Sequence, residues 1–262
     1  MKFNPVQARS WVSLWLASII LLSVAFFAGC GASNPFPSGS YERGVFFKEN
    51  GKYPEAVSAL EAFVRHNPTD TLAAEAQYLK AVSYMDMEEY PLAVVEFQIL
   101  AKDYPTSPRV EDAMFQQGMG YYRQVGNVAR DITGAHEARL HFLKFSQLYP
   151  QSPHMDEVIA TMQDISDLMV TKRLKQCHVF NQLKKPNAVV MVLGEVLKNE
   201  ANSRLLDQVL WHRGQAAEKV DDPDTAIEMY ETLLLDYPES EYRDRANDAL
   251  RDLDEDSFDE EE

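Results

Sequence analysis

The sequence predicts an all-α fold, an α-solenoid of about five helix-turn-helix repeats with a C-terminal capping helix. The main observation is a Pro that recurs at the end of an apolar stretch, each time with an Ala twelve residues before it. A small residue recurs earlier still in each repeat, and this periodicity is typical of stacked helical hairpins. The four pairs are Ala56 with Pro68, Ala93 with Pro105, Ala138 with Pro150, and Ala226 with Pro238.

Each recurring Pro marks the end of the second helix of a hairpin, because Pro cannot donate a backbone hydrogen bond and restricts the residue before it. The earlier small residues mark where the first helix crosses the second closely. They are Gly44, Ala81, Gly118 and Gly214, and the third repeat has eight extra residues before Ala138. A degenerate repeat without the Pro has Ala188 as its small residue and Val192 in the apolar position.

This pattern resembles the tetratricopeptide repeat (TPR), in which helix A and helix B of each unit form a hairpin. We number the repeats units one to five, and one hairpin cannot bury its apolar face without its neighbours. The units are predicted at 40–68, 74–105, 110–150, 170–200 and 206–238, with a capping helix at about 239–252. Residues 154–170 extend the helix before unit four. The solenoid domain is therefore expected to span 40–252, followed by an acidic, disordered tail at 253–262.

The N-terminus has a basic start and an apolar run over residues 11–28, which is the pattern of an export signal. Phe27-Ala28-Gly29-Cys30 resembles a bacterial lipobox, which implies removal of residues 1–29 and lipidation of Cys30. Gly31 is not Asp, which by the rule for such lipoproteins implies sorting to the outer membrane. Residues 30–39 then form a flexible tether. The alternative is an uncleaved anchor helix with an incidental Cys.

The composition argues against several classes of function. With 25 Lys and Arg against 41 Asp and Glu, the formal net charge is −16, which disfavours binding to nucleic acid. The sequence has no CxxC pair, no GxSxG elbow, no P-loop and no His pair at zinc-ligand spacing. We therefore expect no enzymatic activity, no metal and no cofactor. With Cys30 lipidated, Cys177 is the only other Cys and has no thiol to pair with; it lies in a predicted helix, so we expect it to be a buried structural residue.

In a TPR stack the A helices line a concave face, and the repeat register selects the residues that point into it. In units one to three this gives an aromatic row, an aliphatic row and a mixed rim, which suit an apolar segment of a peptide. The candidate groove consists of Tyr41, Val45, Lys48, Tyr78, Val82, Met85, Phe115, Met119, Tyr122 and Arg123. The alternative is that these side chains pack between adjacent helices.

Unit four is locally basic in an otherwise acidic protein. This basic patch comprises Lys172, Arg173, Lys175, Lys184 and Lys185. It is a candidate contact for an acidic partner domain, or else a solvated face.

Several stretches of the whole chain resemble the family of outer-membrane assembly lipoproteins of the BamD type, also called ComL or YfiO. These are Tyr41-Glu-Arg-Gly through Tyr53-Pro-Glu-Ala-Val57, Tyr90-Pro-Leu-Ala-Val94, Tyr104-Pro-Thr-Ser-Pro108 and Arg130-Asp-Ile-Thr133. The last resembles an insertion in the third unit of this family, with Ile132 where the family has Gln.

The resemblance implies a non-enzymatic scaffold, held by its lipid at the periplasmic face of the outer membrane. Its C-terminal units would bind periplasmic domains of the barrel assembly protein, and its N-terminal units the C-terminal signal strands of unfolded outer-membrane proteins. Other assembly lipoproteins would be further partners. One alternative is another exported TPR adaptor, for a pilus or for cell-envelope or division proteins. Another is a carbohydrate-processing enzyme, for which the sequence shows no constellation of catalytic residues.

Overall fold

The computed structural model describes residues 34–126 and 131–259, with side chains as far as Asp254. The signal segment, Cys30 and Arg130 lie outside the described residues. Within that part of the chain there are eleven α-helices and no strand, which confirms the all-α prediction. The helices are α1 Tyr41–Glu49, α2 Tyr53–His66, α3 Ala73–Asp86, α4 Tyr90–Asp103, α5 Arg109–Arg123, α6 Thr133–Leu148, α7 Met155–Gln182, α8 Pro186–Asn199, α9 Leu206–Glu218, α10 Pro223–Asp236 and α11 Arg243–Asp259.

The helices pack in chain order, each mainly against the helix before it and the helix after it. Units one, two, three and five are the pairs α1–α2, α3–α4, α5–α6 and α9–α10. Unit four is made of the C-terminal part of α7 with α8, and α11 covers the end of the stack. The buried apolar residues form successive clusters along the chain, which is the arrangement of an α-solenoid.

Close helix crossings explain the recurring small residues. A Cβ atom on Gly44 would lie 2.5 Å from the Leu60 side chain, and one on Gly118 would lie 2.5 Å from the Phe142 ring. In both units the partner lies four residues after the buried Ala of helix B, and Tyr230 has the same relation to Gly214. A larger residue at these positions would hold helix A away from helix B.

In unit four the structure corrects the sequence register by one residue. Val189 and Leu193 are fully buried, whereas Ala188 and Val192 are only partly buried, so the prediction for these two residues was wrong. The reason is the position of the Pro at the start of the helix. Pro186 is the first residue of α8, whereas Pro54 is the second residue of α2.

The corrected register gives Cys177 a structural position. It lies twelve residues before Val189, as Gly44 lies twelve before Ala56, and it is 3% exposed within the cluster that contains Val189 and Leu193. Burial raises the pKa of the Cys177 thiol to about 11. Cys177 is therefore the small residue at the helix crossing of unit four, and the prediction of a buried Cys is confirmed.

The helix α11 begins and ends later than the sequence suggested. It runs from Arg243 to Asp259 instead of 239–252, so it ends inside the segment 253–262 that was predicted to be a tail. The chain contains neither Gly nor Pro after Pro238, so no helix-breaking residue stops α11 at 252. None of the helices within 34–126 and 131–259 combines the length and the apolar character needed to cross a membrane.

Residues 34–39, which we call the N-terminal strap, pack against α1. Asn34 Nδ2 donates to the Arg43 carbonyl oxygen at 3.2 Å, and Arg43 Nη1 donates to the Phe36 carbonyl oxygen at 2.9 Å. The Phe36 ring meets the Phe46 ring edge to face, with centroids 6.1 Å apart. The sequence predicted a flexible tether over 30–39, whereas the strap is fixed to the first helix by hydrogen bonds to the backbone carbonyl and the guanidinium of Arg43.

Candidate peptide-binding groove

The aromatic row of the candidate groove lies along α1, α3 and α5. Tyr41 and Tyr78 are partly buried, and each ring packs on a phenylalanine of helix B in its own unit, Phe63 and Phe97, at centroid distances of 5.8 Å. Phe115 is only 3% exposed. The first two rings therefore form part of the surface, whereas the third belongs to the core.

The difference between Tyr78 and Phe115 comes from the residue that covers each ring. The Arg109 guanidinium lies over the Tyr78 ring, 4.9 Å from its centroid. His154 stacks flat on Phe115, with centroids 4.2 Å apart and planes 2° apart. Arg109 lies 31 residues after Tyr78, at the start of the next unit. His154 lies 39 residues after Phe115, just before α7, because unit three contains eight extra residues.

Unit five repeats this arrangement with other residues. Trp211, three residues before Gly214, stacks with Tyr242 at 5.8 Å and 18°, and again the separation is 31 residues. In unit one the corresponding position is Leu72, which is 39% exposed. The covering position was missed from the sequence, although its spacing of 31 residues in units one, two and five is a visible signal.

A local turn fixes each covering residue. In each case the backbone N–H of the covering residue donates to the side chain two residues before it. The donors and acceptors are Leu72 to Asp70, Arg109 to Ser107, His154 to Ser152 and Tyr242 to Ser240, at 2.8 to 3.2 Å. Such turns are local to the sequence, so they set the start of the helix independently of the ring that is covered.

A charged network lies beside the aromatic row and joins three helices. Arg109 Nε and Nη2 donate to the two oxygens of Glu75 at 2.5 and 2.9 Å, and Nη1 donates to Asp112 Oδ2 at 2.9 Å. The other oxygen of Asp112 accepts from His154 Nε2 at 3.0 Å. A two-pronged pair of this kind restrains the guanidinium in one orientation, so the network fixes α3, α5 and the start of α7 relative to one another.

Burial and these charges shift the pKa values of the groups in the network. Burial raises the pKa of Tyr41 and Tyr78, and the carboxylates of Glu75 and Asp112 respectively add to that rise. For Asp112 burial alone would raise the pKa, but the hydrogen bonds from His154 and Arg109 outweigh it and lower the pKa. Both tyrosines therefore stay neutral and Asp112 stays ionised at neutral pH.

The aliphatic row and the rim are only partly accessible. Val45, Val82 and Met119 are partly buried, and Met85 is 6% exposed and belongs to the core. Lys48 Nζ lies 3.2 Å from Asp86 Oδ2, an ion pair that joins α1 to α3. The rim of the first two units is therefore close to electroneutral at this point.

The third part of the rim continues into unit four. Burial, and then the charge of Asp164, raise the pKa of Tyr122, while Arg204 lowers it, so Tyr122 lies near this pair. Arg204 donates to Asp164 and Asp167 at 2.5 and 2.6 Å, which ties the loop before α9 to α7. Arg123 is exposed beside Tyr122. The candidate groove thus has aromatic anchors in units one and two and a charged end near unit four.

The basic patch does not form one surface feature. Lys172 and Arg173 line a cleft of about 230 Å³, together with Ile132 and Glu195. Lys175 is exposed on α7, and Lys184 and Lys185 are exposed in the turn between α7 and α8. Lys172 and Arg173 are therefore the two residues of the patch that line this cleft.

Glu200, which also lines this cleft, forms an ion pair with Arg139. Arg139 donates to both oxygens of Glu200 at 2.9 and 2.6 Å, and Glu200 is 9% exposed. Among the side chains that the structure describes, no group of three or more His, Cys, Asp and Glu residues could hold a metal ion.

Stacked helical hairpins with close crossings at regular small residues define a protein of the tetratricopeptide-repeat class. In agreement, a tetratricopeptide-repeat model matches residues 208–240. The model of the YfiO family, described as outer membrane lipoprotein, matches residues 36–221. The chain therefore belongs to the YfiO family of outer membrane lipoproteins.

Solved structures of two TPR proteins are similar to this chain. One is TTC0263, a thermophilic TPR protein of Thermus thermophilus, with 18% identity, a TM-score of 0.33, and coverage of 80% of this chain and 96% of that chain. The other is the TPR domain of P58(IPK), with 16% identity, a TM-score of 0.27, and coverage of 84% of this chain and 57% of that chain. A search of curated proteins found no match.

Proposed function

We propose that this protein is a lipid-anchored scaffold of the β-barrel assembly machinery at the periplasmic face of the outer membrane. The family match to outer membrane lipoproteins supports this placement, together with Cys30 at the end of an apolar N-terminal run. The repeat fold supports a role in binding other proteins, because stacked hairpins offer extended concave surfaces. The protein acts by holding partners together and carries out no chemistry itself.

The N-terminal units receive segments of unfolded outer-membrane proteins. The observation that carries this proposal is the pair Tyr41 and Tyr78, partly exposed on adjacent A helices and fixed from behind by Phe63 and Phe97. Aromatic side chains held in place before binding give contact area at a low cost in conformational entropy. Their rings bind apolar side chains of an extended segment.

The C-terminal units hold the periplasmic domains of the barrel assembly protein, and other assembly lipoproteins bind the same scaffold. The cleft with Lys172 and Arg173 supports an acidic contact in unit four. Positive groups at the edge of an interface favour the encounter with a negative partner and fix its orientation.

Co-purification tests this function. The protein is tagged at its C-terminus, extracted from membranes in a mild detergent and purified, and the bound proteins are identified by mass spectrometry. We expect a barrel-forming outer-membrane protein with periplasmic domains at a roughly stoichiometric level. Recovery of pilus or cell-envelope division proteins in its place would keep the fold and assign the protein to a different exported adaptor.

A further inference from the structure

The N-terminal strap leaves little free chain before the proposed lipid. Only residues 31–33 separate Cys30 from Asn34, the first residue of the strap. Four steps of fully extended chain span at most about 14 Å. If Cys30 carries acyl chains, as the proposed function requires, Asn34 cannot lie farther than this from the bilayer surface.

The strap also transmits this restraint to the repeat. Phe36 N donates to Asn34 Oδ1 at 2.9 Å, Ser40 N donates to the Pro37 carbonyl oxygen at 3.3 Å, and Arg43 N donates to Ser40 Oγ at 3.3 Å. With the two bonds from Asn34 and Arg43 described above, both halves of the strap are tied to the first turn of α1. The strap therefore moves with unit one and does not act as a free linker.

The chemistry of this end suits the interfacial region of a bilayer. Pro35 and Pro37 are exposed, and Phe36 and Phe46 are partly buried against each other. The Arg43 guanidinium lies 5.2 Å from the centroid of the Phe47 ring. Apolar and aromatic side chains next to a cation are well suited to the interfacial region between the lipid headgroups and the acyl chains.

We propose that the end of the solenoid formed by the strap and α1 is a membrane-contacting surface, held against the lipid headgroups by the anchor at Cys30. This inference rests on the lipid anchor of the proposed function. It adds a limit on the distance between Asn34 and the bilayer, and it names the surface of the protein that contacts the lipids. Only Ser40 separates the strap from Tyr41, so the candidate groove begins next to the bilayer.

Energy transfer to labelled lipids tests the inference. The lipidated full-length protein is reconstituted into vesicles of phosphatidylethanolamine and phosphatidylglycerol that contain a headgroup-labelled acceptor. A donor dye is attached to S38C in the strap, or to N247C in α11 as the matched control, since both native residues are exposed. The buried thiol of Cys177 has a raised pKa and reacts slowly, so the label goes to the introduced site.

We expect severalfold higher transfer from S38C than from N247C. A Gly/Ser insertion of about eight residues between Gly31 and Ala32 should reduce the transfer from S38C, because the chain then allows a much longer reach. Equal transfer from the two sites, or no effect of the insertion, would overturn the inference.

Mass spectrometry of the N-terminal peptide separates the two proposals. An acylated Cys30 with equal transfer at both sites would refute only the membrane-contacting surface. An unmodified Cys30 in membrane-extracted protein would refute the lipid anchor of the proposed function, and the distance argument with it.

Discussion

The His154 imidazole lies flat on the Phe115 ring, with centroids 4.2 Å apart, while its Nε2 donates to the carboxylate of Asp112, which lies one helical turn before Phe115. One side chain therefore covers the third ring of the aromatic row and also ends the charged network that begins at Glu75. This double role explains why Phe115 is lost from the candidate groove although Tyr41 and Tyr78 are not.

The first prediction concerns acid stability. Because the pKa of Asp112 is lower in the folded protein than its ordinary value of 3.8, its contribution to stability is present above that value. This contribution is lost as the pH falls through the lowered folded pKa. In the Asp112→Asn variant, urea midpoints measured over a pH series should fall less steeply below pH about 4 than in the wild type. Parallel curves for the two proteins would show that Asp112 is not a source of the acid sensitivity.

The second prediction concerns the helix crossing of unit three. Gly118→Ala should lower the free energy of unfolding by about 1–3 kcal/mol, because the new Cβ would lie 2.5 Å from the fully buried Phe142 ring. This loss exceeds the gain in helix propensity of about 1 kcal/mol. Gly126→Ala is the matched control, since nothing lies within 4 Å of a Cβ there. Urea unfolding of both variants measures the difference, and equal stability would contradict the close crossing.

The third prediction tests the aromatic anchors. Tyr41→Ala with Tyr78→Ala should weaken the binding of C-terminal peptides of outer-membrane proteins by at least about tenfold, since two preorganised rings are removed. Isothermal titration gives the affinities. The control is Tyr53→Ala with Tyr90→Ala, which removes two partly buried tyrosines at the starts of the B helices of the same units. Equal loss in both pairs would indicate a structural role only.

The fourth prediction divides the basic patch. Reversal of charge at the cleft, Lys172→Glu with Arg173→Glu, should weaken co-purification of the assembly protein more than Lys184→Glu with Lys185→Glu, because only the first two residues line the cleft. The two variants change the net charge equally. A titration of salt on the wild-type complex should weaken it as well, since contacts of this kind are screened. If the turn variant has the larger effect, the contact lies outside the cleft.

The fifth prediction concerns the anchor. Cys30→Ala should remove the protein from the outer-membrane fraction, because the acyl chains that hold it there cannot be attached. Density-gradient fractionation with immunoblotting measures the distribution. An unchanged outer-membrane fraction would show that another element binds the membrane.

The fold could be predicted because its determinants are periodic and local. Gly44 stands out as a small residue twelve residues before the buried Ala56. Gly118 has the same relation to Ala138 once the eight extra residues of unit three are left out. The register of the degenerate unit was predicted one residue too early, because Pro186 is the first residue of α8 and not the second. The crossing residue of this unit was also hard to recognise, because Cys177 is neither Gly nor Ala.

The candidate groove could be predicted only in part. The register selects the face on which Tyr78 and Phe115 lie, but the exposure of each ring depends on the residue that begins a later helix. Arg109 and His154 lie 31 and 39 residues farther along, and their different shapes decide whether the ring stays at the surface. Such a dependence is not visible in the pattern of any single helix.

The 28-residue helix α7 has a mechanical consequence. Its first half packs into the cluster that includes Val158 and Ile165, and its second half into the cluster that includes Val170 and Cys177. At 1.5 Å per residue the helix is about 42 Å long, and it passes from one cluster to the next without a break. It thus joins unit three to unit four rigidly, so that a load applied to one of these units is carried to the other along a single unbroken helix.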